Sequence, residues 1–258
     1  VMGFAVARFA LGLGESANFP AAIKTVGEWF PPQERALATG ILNAGSNVGA
    51  IVAPLAVPWL AMHLGWQWAF VLTALIGLGW LAIWWPIYRE PQLHPAVSST
   101  EKKYIQQGAQ AHSSAVPLSQ LLSDQTAWAI FALRFVADPT WWFLLYWVPK
   151  FLSDTQGLSL TGLALPLVVI YGVADVGSVL GGWASSYLIR RGVGPVAARQ
   201  WAIFAAACCV LPVVAVAYWQ HHWGVIALLS LAAAAHQAYA ANMFTLISDL
   251  FPPESVGR

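Results

Sequence analysis

Apolar residues along this chain come in long blocks, not in the short alternation of a strand. Seven blocks can be read, at roughly 1–27, 37–61, 66–88, 127–151, 161–189, 200–220 and 222–247. At about 1.5 Å of rise per residue, some 20 residues cross the roughly 30 Å of bilayer hydrocarbon as a helix. Inside lipid every backbone N–H and C=O must find a partner within its own segment, which a helix supplies. The pattern therefore predicts an all-α polytopic membrane protein. Connections between blocks are short with one exception. Residues 89–125, containing EPQLHPAVSSTEKKYIQQGAQAHSSAVPLSQLLSDQ, are polar and carry Pro and Ser. They divide the chain into 1–88, the 89–125 connection and 126–258. Within the connection, TEKKYIQQGAQA predicts a short surface helix.

Composition agrees. The chain is 59% hydrophobic and 9% charged, with mean hydropathy +0.63, against roughly 25% charged residues in a soluble domain. A net charge of +1 says nothing about nucleic acid, and no basic patch interleaved with aromatics appears, so no nucleic-acid partner is expected. Cys208 and Cys209 are adjacent in an apolar block and read as small lipid- or core-facing residues, not as a disulfide framework. Arg8 interrupts the opening stretch, which lacks a signal-peptide pattern. Basic residues follow alternate blocks: Arg35, then Arg89, Lys102 and Lys103, then Arg190, Arg191 and Arg199, then Arg258. Lys150 stands near the connection after the fourth block. By the positive-inside rule the Arg35, Arg89, Arg190 and Arg258 side is cytoplasmic. Tryptophans near block ends, such as Trp59, Trp66, Trp84, Trp85, Trp219 and Trp223, form interfacial belts.

A motif recurs. GEWFPPQERALATG at 27–40 and SDLFPPESVGR at 248–258 each place Phe-Pro-Pro after a helix and before an acidic residue and an arginine. Their positions on either side of the long connection point to two homologous halves, as in transporters built from parallel repeats. The chain is expected to be a piece of a longer protein, cut at both ends.

Ionisable and amide residues inside the blocks carry the chemistry, because each is costly in hydrocarbon unless paired or facing water. Arg8 and Glu15 are seven apart, about two helical turns, and share a face. They either pair to fix packing, or serve as an anion-binding arginine and a carboxylate that takes and returns a proton. Asn43, Ser46 and Asn47 form one polar stripe, read either as interhelical hydrogen bonding or as recognition of a polyol. Arg134, Asp138 and Trp141 or Trp142 share a face, with Tyr146 a turn beyond Trp142. Arg134 either closes on Asp138 at i, i+4 or offers its planar fork to a carboxylate, with an aromatic beside it to stack on a sugar ring. Pro139 can kink that helix. His236, Gln237, Tyr239 and Asn242 are polar in mid-helix, and His236, Gln237 and Asn242 are read as satisfied core groups or substrate contacts. Asp175 is an intramembrane carboxylate that either couples protons or holds its half together, the second being favoured. No HExxH and no Ser–His pattern at helical spacing occurs, which argues against an enzyme.

Together these stretches resemble a known family. RFALGLGESANFPAAIKTVGEWFPPQERALATGILNAGSNVGA resembles helices four and five of the major facilitator superfamily, in its anion:cation symporter branch. LRFVADPTWWFLLYWVPKFL resembles helix seven of that branch, and AAAAHQAYAANMFTLISDLFP helix ten. The bacterial hexuronate transporter group is the most similar, with galactonate and glucarate carriers beside it. The resemblance implies a fold of twelve helices in two six-helix halves, of which this chain spans helices four to ten. Residues 1–88 would hold helices four to six, and 126–258 helices seven to ten. It implies alternating access, Glu15 as the proton-coupling residue, and substrate binding by Arg8, Asn43, Ser46, Asn47, Arg134, Trp142, Tyr146, His236, Gln237 and Asn242. In galactonate relatives a glutamine binds substrate where Ser46 stands. Where the superfamily's loop between helices eight and nine has an aspartate, Ser185 and Ser186 stand, so the gating salt bridge of that half lacks its usual carboxylate. The expected activity is proton-coupled import of a sugar acid anion, a hexuronate, across a bacterial inner membrane. The protein would be a monomer, with no cofactor beyond H+ and no metal. The alternatives are a carrier of another organic anion, of galactonate, glucarate, tartrate or phthalate type, and a non-transporting sensor.

Overall fold

The computed structural model describes residues 2–105, 117–159, 162–219 and 221–251. The described residues form ten α-helices and one 3₁₀ segment: α1 (Met2–Glu15), α2 (Asn18–Trp29), α3 (Pro32–His63), α4 (Gln67–Ile87), α5 (Ser99–Ile105), α6 (Leu118–Ser123), α7 (Gln125–Gln156), α8 (Ala164–Arg190), α9 (Pro195–Val210), the 3₁₀ turns Leu211–Tyr218, and α10 (His222–Leu250). Five of these stretches are long and apolar enough to cross a membrane: α3, α4, α8, α9 with its 3₁₀ extension, and α10. The 32-residue α7 is long enough too, but Arg134, Asp138, Lys150 and Asp154 lower its hydropathy.

The first apolar block differs from the single helix expected. It divides at Ser16-Ala17 into α1 and α2. Pro20 falls in the first turn of α2 and has no N–H to bond Ser16, so the helical ladder stops there. The Ser16 hydroxyl turns back onto the Leu13 carbonyl at 2.8 Å. Trp29 ends α2 because Phe30 precedes a proline pair, and a residue before proline is driven out of the α region. Phe30 is extended (φ −121°, ψ 135°) and donates its N–H to Val26. At the second copy of the motif, Phe251 is extended in the same way (φ −118°, ψ 147°) and donates to Ile247. The repeat seen in sequence is thus a repeat of local structure, as far as Phe251. The rest of that motif, with Arg258, lies outside the described residues.

Pro139 and Pro149 are accommodated inside a continuous α7. That helix starts on Asp124, whose carboxylate accepts from the Thr126 and Ala127 N–H groups at 2.6 and 3.3 Å. It ends on Gly157 at φ 67°, a left-handed conformation that glycine adopts without strain. The surface helix expected in the long connection forms over Ser99–Ile105, and its remainder to Ala111 lies outside the described residues. Both cysteines are free and exposed.

Helix α8 is the centre of the bundle. It packs against α3 on one side and α10 on the other, and α10 also meets α9 and α3. Small residues allow this, as membrane helices that lack a hydrophobic driving force between them require. A Cβ on Gly177 or Gly181 would collide with Ala234 or Ala238 of α10, and one on Gly182 with the Ala36 backbone of α3. The apolar core joins Leu144, Val148 and Leu152 of α7 to Ile170 and Ala174 of α8 and Val225, Ile226 and Leu229 of α10. By contrast α1 and α4 bury no residue. Their large exposed side chains, such as Phe9, Phe70, Ile76 and Trp80, form the kind of apolar face that a bilayer or neighbouring helices cover.

Candidate functional site

Three polar groupings lie within this bundle. The first joins α7 and α10. Arg134 donates from Nε and Nη2 to the same Asp138 oxygen, Oδ2, at 3.0 and 2.6 Å, so the i, i+4 pair foreseen in sequence is formed. Its guanidinium also lies 4.2 Å from the centre of the Phe244 ring, a cation–π contact. Phe244 packs against Phe19 of α2 at 4.6 Å, which brings helices from both sides of the long connection to Arg134. One turn along α7, Trp141 stacks on His236 with ring centroids 5.8 Å apart and planes 17° apart. The His236 Nε2 lies 3.2 Å from the Ala137 carbonyl. A carbonyl only accepts, so this geometry assigns the proton to Nε2 and leaves Nδ1 as an acceptor. That Nδ1 and the Tyr239 hydroxyl are buried and have no hydrogen-bond partner. Buried polar atoms are rarely left unsatisfied, which makes this corner the candidate site.

The second grouping lies on the seam between α3 and α8. Asn43 and Asn47 are buried, at 4% and 6% exposure, and both amide nitrogens are unpartnered. Asp175 and Ser178 of α8 each contribute a buried oxygen without a partner, and Asn47 lies beside Asp175.

The third grouping closes one end. Asp249 of α10 holds two arginines: Arg35 of α3 on Oδ1 and Arg199 of α9 on Oδ2, both at 3.2 Å. All three side chains are nearly inaccessible, at 8%, 4% and 0% exposure for Arg35, Asp249 and Arg199. Arg35 also donates to the Gly27, Phe30 and Ser248 carbonyls at 3.0, 3.0 and 3.3 Å. Arg199 donates to Ser185 at 2.8 Å and to the Pro32 carbonyl at 2.6 Å. Buried charges are tolerated only when so fully bonded. The absent aspartate at Ser185-Ser186 therefore does not leave the end unbridged, which corrects the sequence expectation. Ser185 accepts from Arg199, and the carboxylate comes from Asp249 at the end of α10. Arg35 and Arg199, expected on one face of the membrane, do share one end of the bundle.

The remaining predicted residues are distributed as follows. Arg8 and Glu15 lie on exposed α1, which makes its main contact with α2, and no ion pair joins them among the described residues. Ser46 is exposed and bonds the Leu42 carbonyl of its own helix at 3.2 Å. Trp142 and Tyr146 are exposed and stack on one another at 5.9 Å, so it is Trp141 that faces His236. Gln237 is buried. Asn242 is fully buried and donates to the Gly181 and Ala238 carbonyls, each at 2.9 Å, stitching α10 to α8. Sequence reasoning left out Phe244, Tyr239, Arg199 and Asp249 as site residues. For Tyr239 the signal was present, three residues after His236 on one helical face. For Asp249 it was the repeated motif itself, in which the acid follows Ser248.

A helical bundle with membrane-length apolar helices, intramembrane arginines and a charge-bridged end defines a polytopic membrane protein. The Major Facilitator Superfamily profile matches residues 2–258, and the chain belongs to that superfamily. It is similar to the hexuronate transporter of Escherichia coli strain K12, 32% identical over 96% of this chain and 59% of the relative. The galacturonate transporter of Dickeya chrysanthemi is 36% identical over 70% of this chain and 54% of that protein. The D-galactonate transporter of Escherichia coli O6:H1 is 28% identical over 97% and 61%. The chain thus spans about three-fifths of the length of the first of these relatives.

Proposed function

We propose that this chain is part of a proton-coupled symporter that imports a sugar acid anion, a hexuronate, by alternating access. The observation that carries the reading is the α7–α10 corner, where Arg134 lies close to the stacked Trp141–His236 pair and to the unpartnered His236 Nδ1 and Tyr239 hydroxyl. A sugar acid offers what this corner lacks. Its carboxylate takes the Arg134 fork in place of Asp138, its hydroxyls reach Nδ1 and the tyrosine, and its ring lies on an aromatic face. The names of the similar proteins support the same substrate class. Asn43, Ser46, Asn47, Gln237 and Arg8 would supply further hydroxyl and carboxylate contacts as the two halves close on the substrate. Trp142, Tyr146 and Asn242 frame the site. Glu15 is assigned the proton. The Arg35–Asp249–Arg199 network is the closed cytoplasmic gate, so the form described opens away from that end. The carrier works in a bacterial inner membrane, as a monomer and without a cofactor.

A carrier of galactonate or glucarate type is the second reading, supported by the similarity to the D-galactonate transporter of Escherichia coli O6:H1. The test is transport by the full-length protein in proteoliposomes. Labelled galacturonate and glucuronate are offered with and without an inward proton gradient, and galactonate is the competitor. Saturable uptake accelerated by the gradient is the expected result. Uptake of galactonate alone would move the substrate, and the absence of any counterflow would remove the carrier reading.

A further inference from the structure

The seam between α3 and α8 holds an arrangement that neither packing nor the site above explains. The two helices run antiparallel, with Ala36 against Gly182 and Gly40 against Ser178, so close that neither glycine has room for a Cβ. Continuing that register places Asn43 level with Asp175 and Asn47 one turn further. There the close contact yields to polar atoms: the Asn43 and Asn47 amide nitrogens, the Ser178 hydroxyl and Asp175 Oδ1, all buried and none in a fully formed hydrogen bond among the described residues, although Asn47 lies near enough to Asp175 to act on its carboxylate. Two buried donors on one helix facing a carboxylate on the other are complementary. Asp175 as a residue is only partly buried.

We propose that Asp175, with Asn43 and Asn47, is a second proton site of the carrier, which ties α3 to α8 when ionised and loosens them when it takes up a proton. The inference rests on the proton-coupled reading above and adds a residue to it. The step is a simple protonation: the carboxylate takes H+ from water on the open side and returns it to water after the seam has parted. No other bond is made or broken. As a carboxylate, Asp175 would accept from both amides, once they close on it, in charge-assisted bonds roughly twice as strong as neutral ones. As a carboxylic acid it loses that advantage on the side that holds the cytoplasmic end shut. Protonation at Asp175 therefore favours opening toward the cytoplasm, the direction a symporter needs after loading.

Other charges do not account for the group. The elements packed against α8 carry Glu34, Arg35 and His63 on α3, Arg199, Cys208 and Cys209 on α9, His222, His236, Tyr239 and Asp249 on α10, and Arg134, Asp138, Tyr146, Lys150 and Asp154 on α7; Glu34 bonds Tyr104, and Arg134–Asp138 and Lys150–Asp154 are paired. Arg35, Arg199 and Asp249 are engaged in the end network. Among the described residues none forms an ion pair with Asp175, and its only specific neighbour in electrostatic terms is Asn47.

The test reads the seam directly and needs no substrate. Thr39, next to Gly40 on α3, is 1% exposed and its hydroxyl accepts from Thr245 of α10 at 3.1 Å, so a parting of α3 from the helices packed on it uncovers it. In the full-length protein with Cys208 and Cys209 replaced by serine, Thr39→Cys is labelled by a membrane-impermeant maleimide applied from the cytoplasmic side, in vesicles between pH 5.5 and 8. Each rate is divided by that of a cysteine at a water-exposed loop position, which removes the thiol's own pH dependence. The normalised rate is expected to rise about tenfold as the pH falls. Asp175→Asn should hold it high at every pH, and Asn47→Ala should raise it at pH 8 without removing the rest of the response. An Asp175→Asn protein that folds and keeps the full pH response overturns the proposal, as does a rate that follows Na+ instead of H+. Should Asp175→Asn fail to fold, Asp175→Glu decides: a response shifted along the pH axis supports the site, and an unshifted one overturns it. If sugar acid uptake fails in proteoliposomes while the labelling still follows pH through Asp175, the substrate reading falls and this site stands.

Discussion

Removing the charge of Asp249 should unlock the end of the bundle that the structure shows closed. The carboxylate is 4% exposed and shared by Arg35 and Arg199, one on each oxygen at 3.2 Å. Asp249→Asn keeps the shape and one acceptor but turns two charge-assisted bonds toward neutral ones. A hydrogen bond to a charged group contributes about 1.5–3 kcal/mol and a neutral one about 0.5–1.5, so each loses roughly 1–1.5 kcal/mol. Only the Arg35 bond joins α3 to α10. The Arg199 bond lies among the helices after the long connection and weighs on both forms alike. The closed form should therefore lose about 1–1.5 kcal/mol relative to the open one, a shift of roughly fivefold to tenfold. Arg35 keeps its backbone carbonyl partners, which limits the effect. Asp249→Ala is harsher, because two buried guanidinium groups would lack a counter-charge, and breaking a buried pair costs about 3–5 kcal/mol. Thr39 reports the change, since its hydroxyl accepts from Thr245 across the same seam at 3.1 Å. Maleimide labelling of Thr39→Cys should speed up about fivefold to tenfold in Asp249→Asn. Equal rates in two folded proteins would refute the reasoning and leave the network as a static support.

Other outcomes follow from the same geometry. Arg134→Lys replaces a planar fork with a point charge and should raise the apparent dissociation constant for a sugar acid about tenfold or more. An unchanged value in equilibrium binding removes Arg134 from the site. Glu15→Gln should abolish gradient-driven uptake while sparing substrate exchange, and loss of both in a folded protein would end that role. Gly181→Val should destabilise the bundle by about 1–3 kcal/mol or more through overpacking against Ala238, read as a lowered thermal transition in detergent. The Tyr104 phenol donates to Glu34 at 2.5 Å, and that bond raises its pKa above the ordinary 10. Its hold on α3 is thus complete at neutral pH and is lost as pH rises through the raised value. In the ultraviolet titration Tyr104→Phe should remove one of the tyrosines that ionise above the ordinary value.

Much of the site was legible as residue type and spacing. The Arg134–Asp138 pair follows from i, i+4 on one helix, and the Asn43–Asn47 stripe from the same periodicity. Which of two adjacent tryptophans faces His236 was not legible, because residues one apart differ by 100° around a helix and α10 alone decides between Trp141 and Trp142. The partner of the end network was hidden for a similar reason. A missing aspartate at Ser185 was visible, but its replacement comes from Asp249, 64 residues away in sequence by the numbering and adjacent only after α8, α9 and α10 assemble.

The amino-acid sequence alone determined the helices, the solvent they need and the places where they stop. Apolar block length, the proline pairs and the left-handed glycines act within a few residues and need no partner to take effect. Tertiary structure decided which polar groups are satisfied. Asn242 became a helix clamp on Gly181, while His236 Nδ1, Tyr239 and the Asn47–Asp175 seam were left with unspent hydrogen-bonding capacity. That distinction depends on which surface faces which, set by the glycine contacts of α8 with α3 and α10, and no local pattern encodes it.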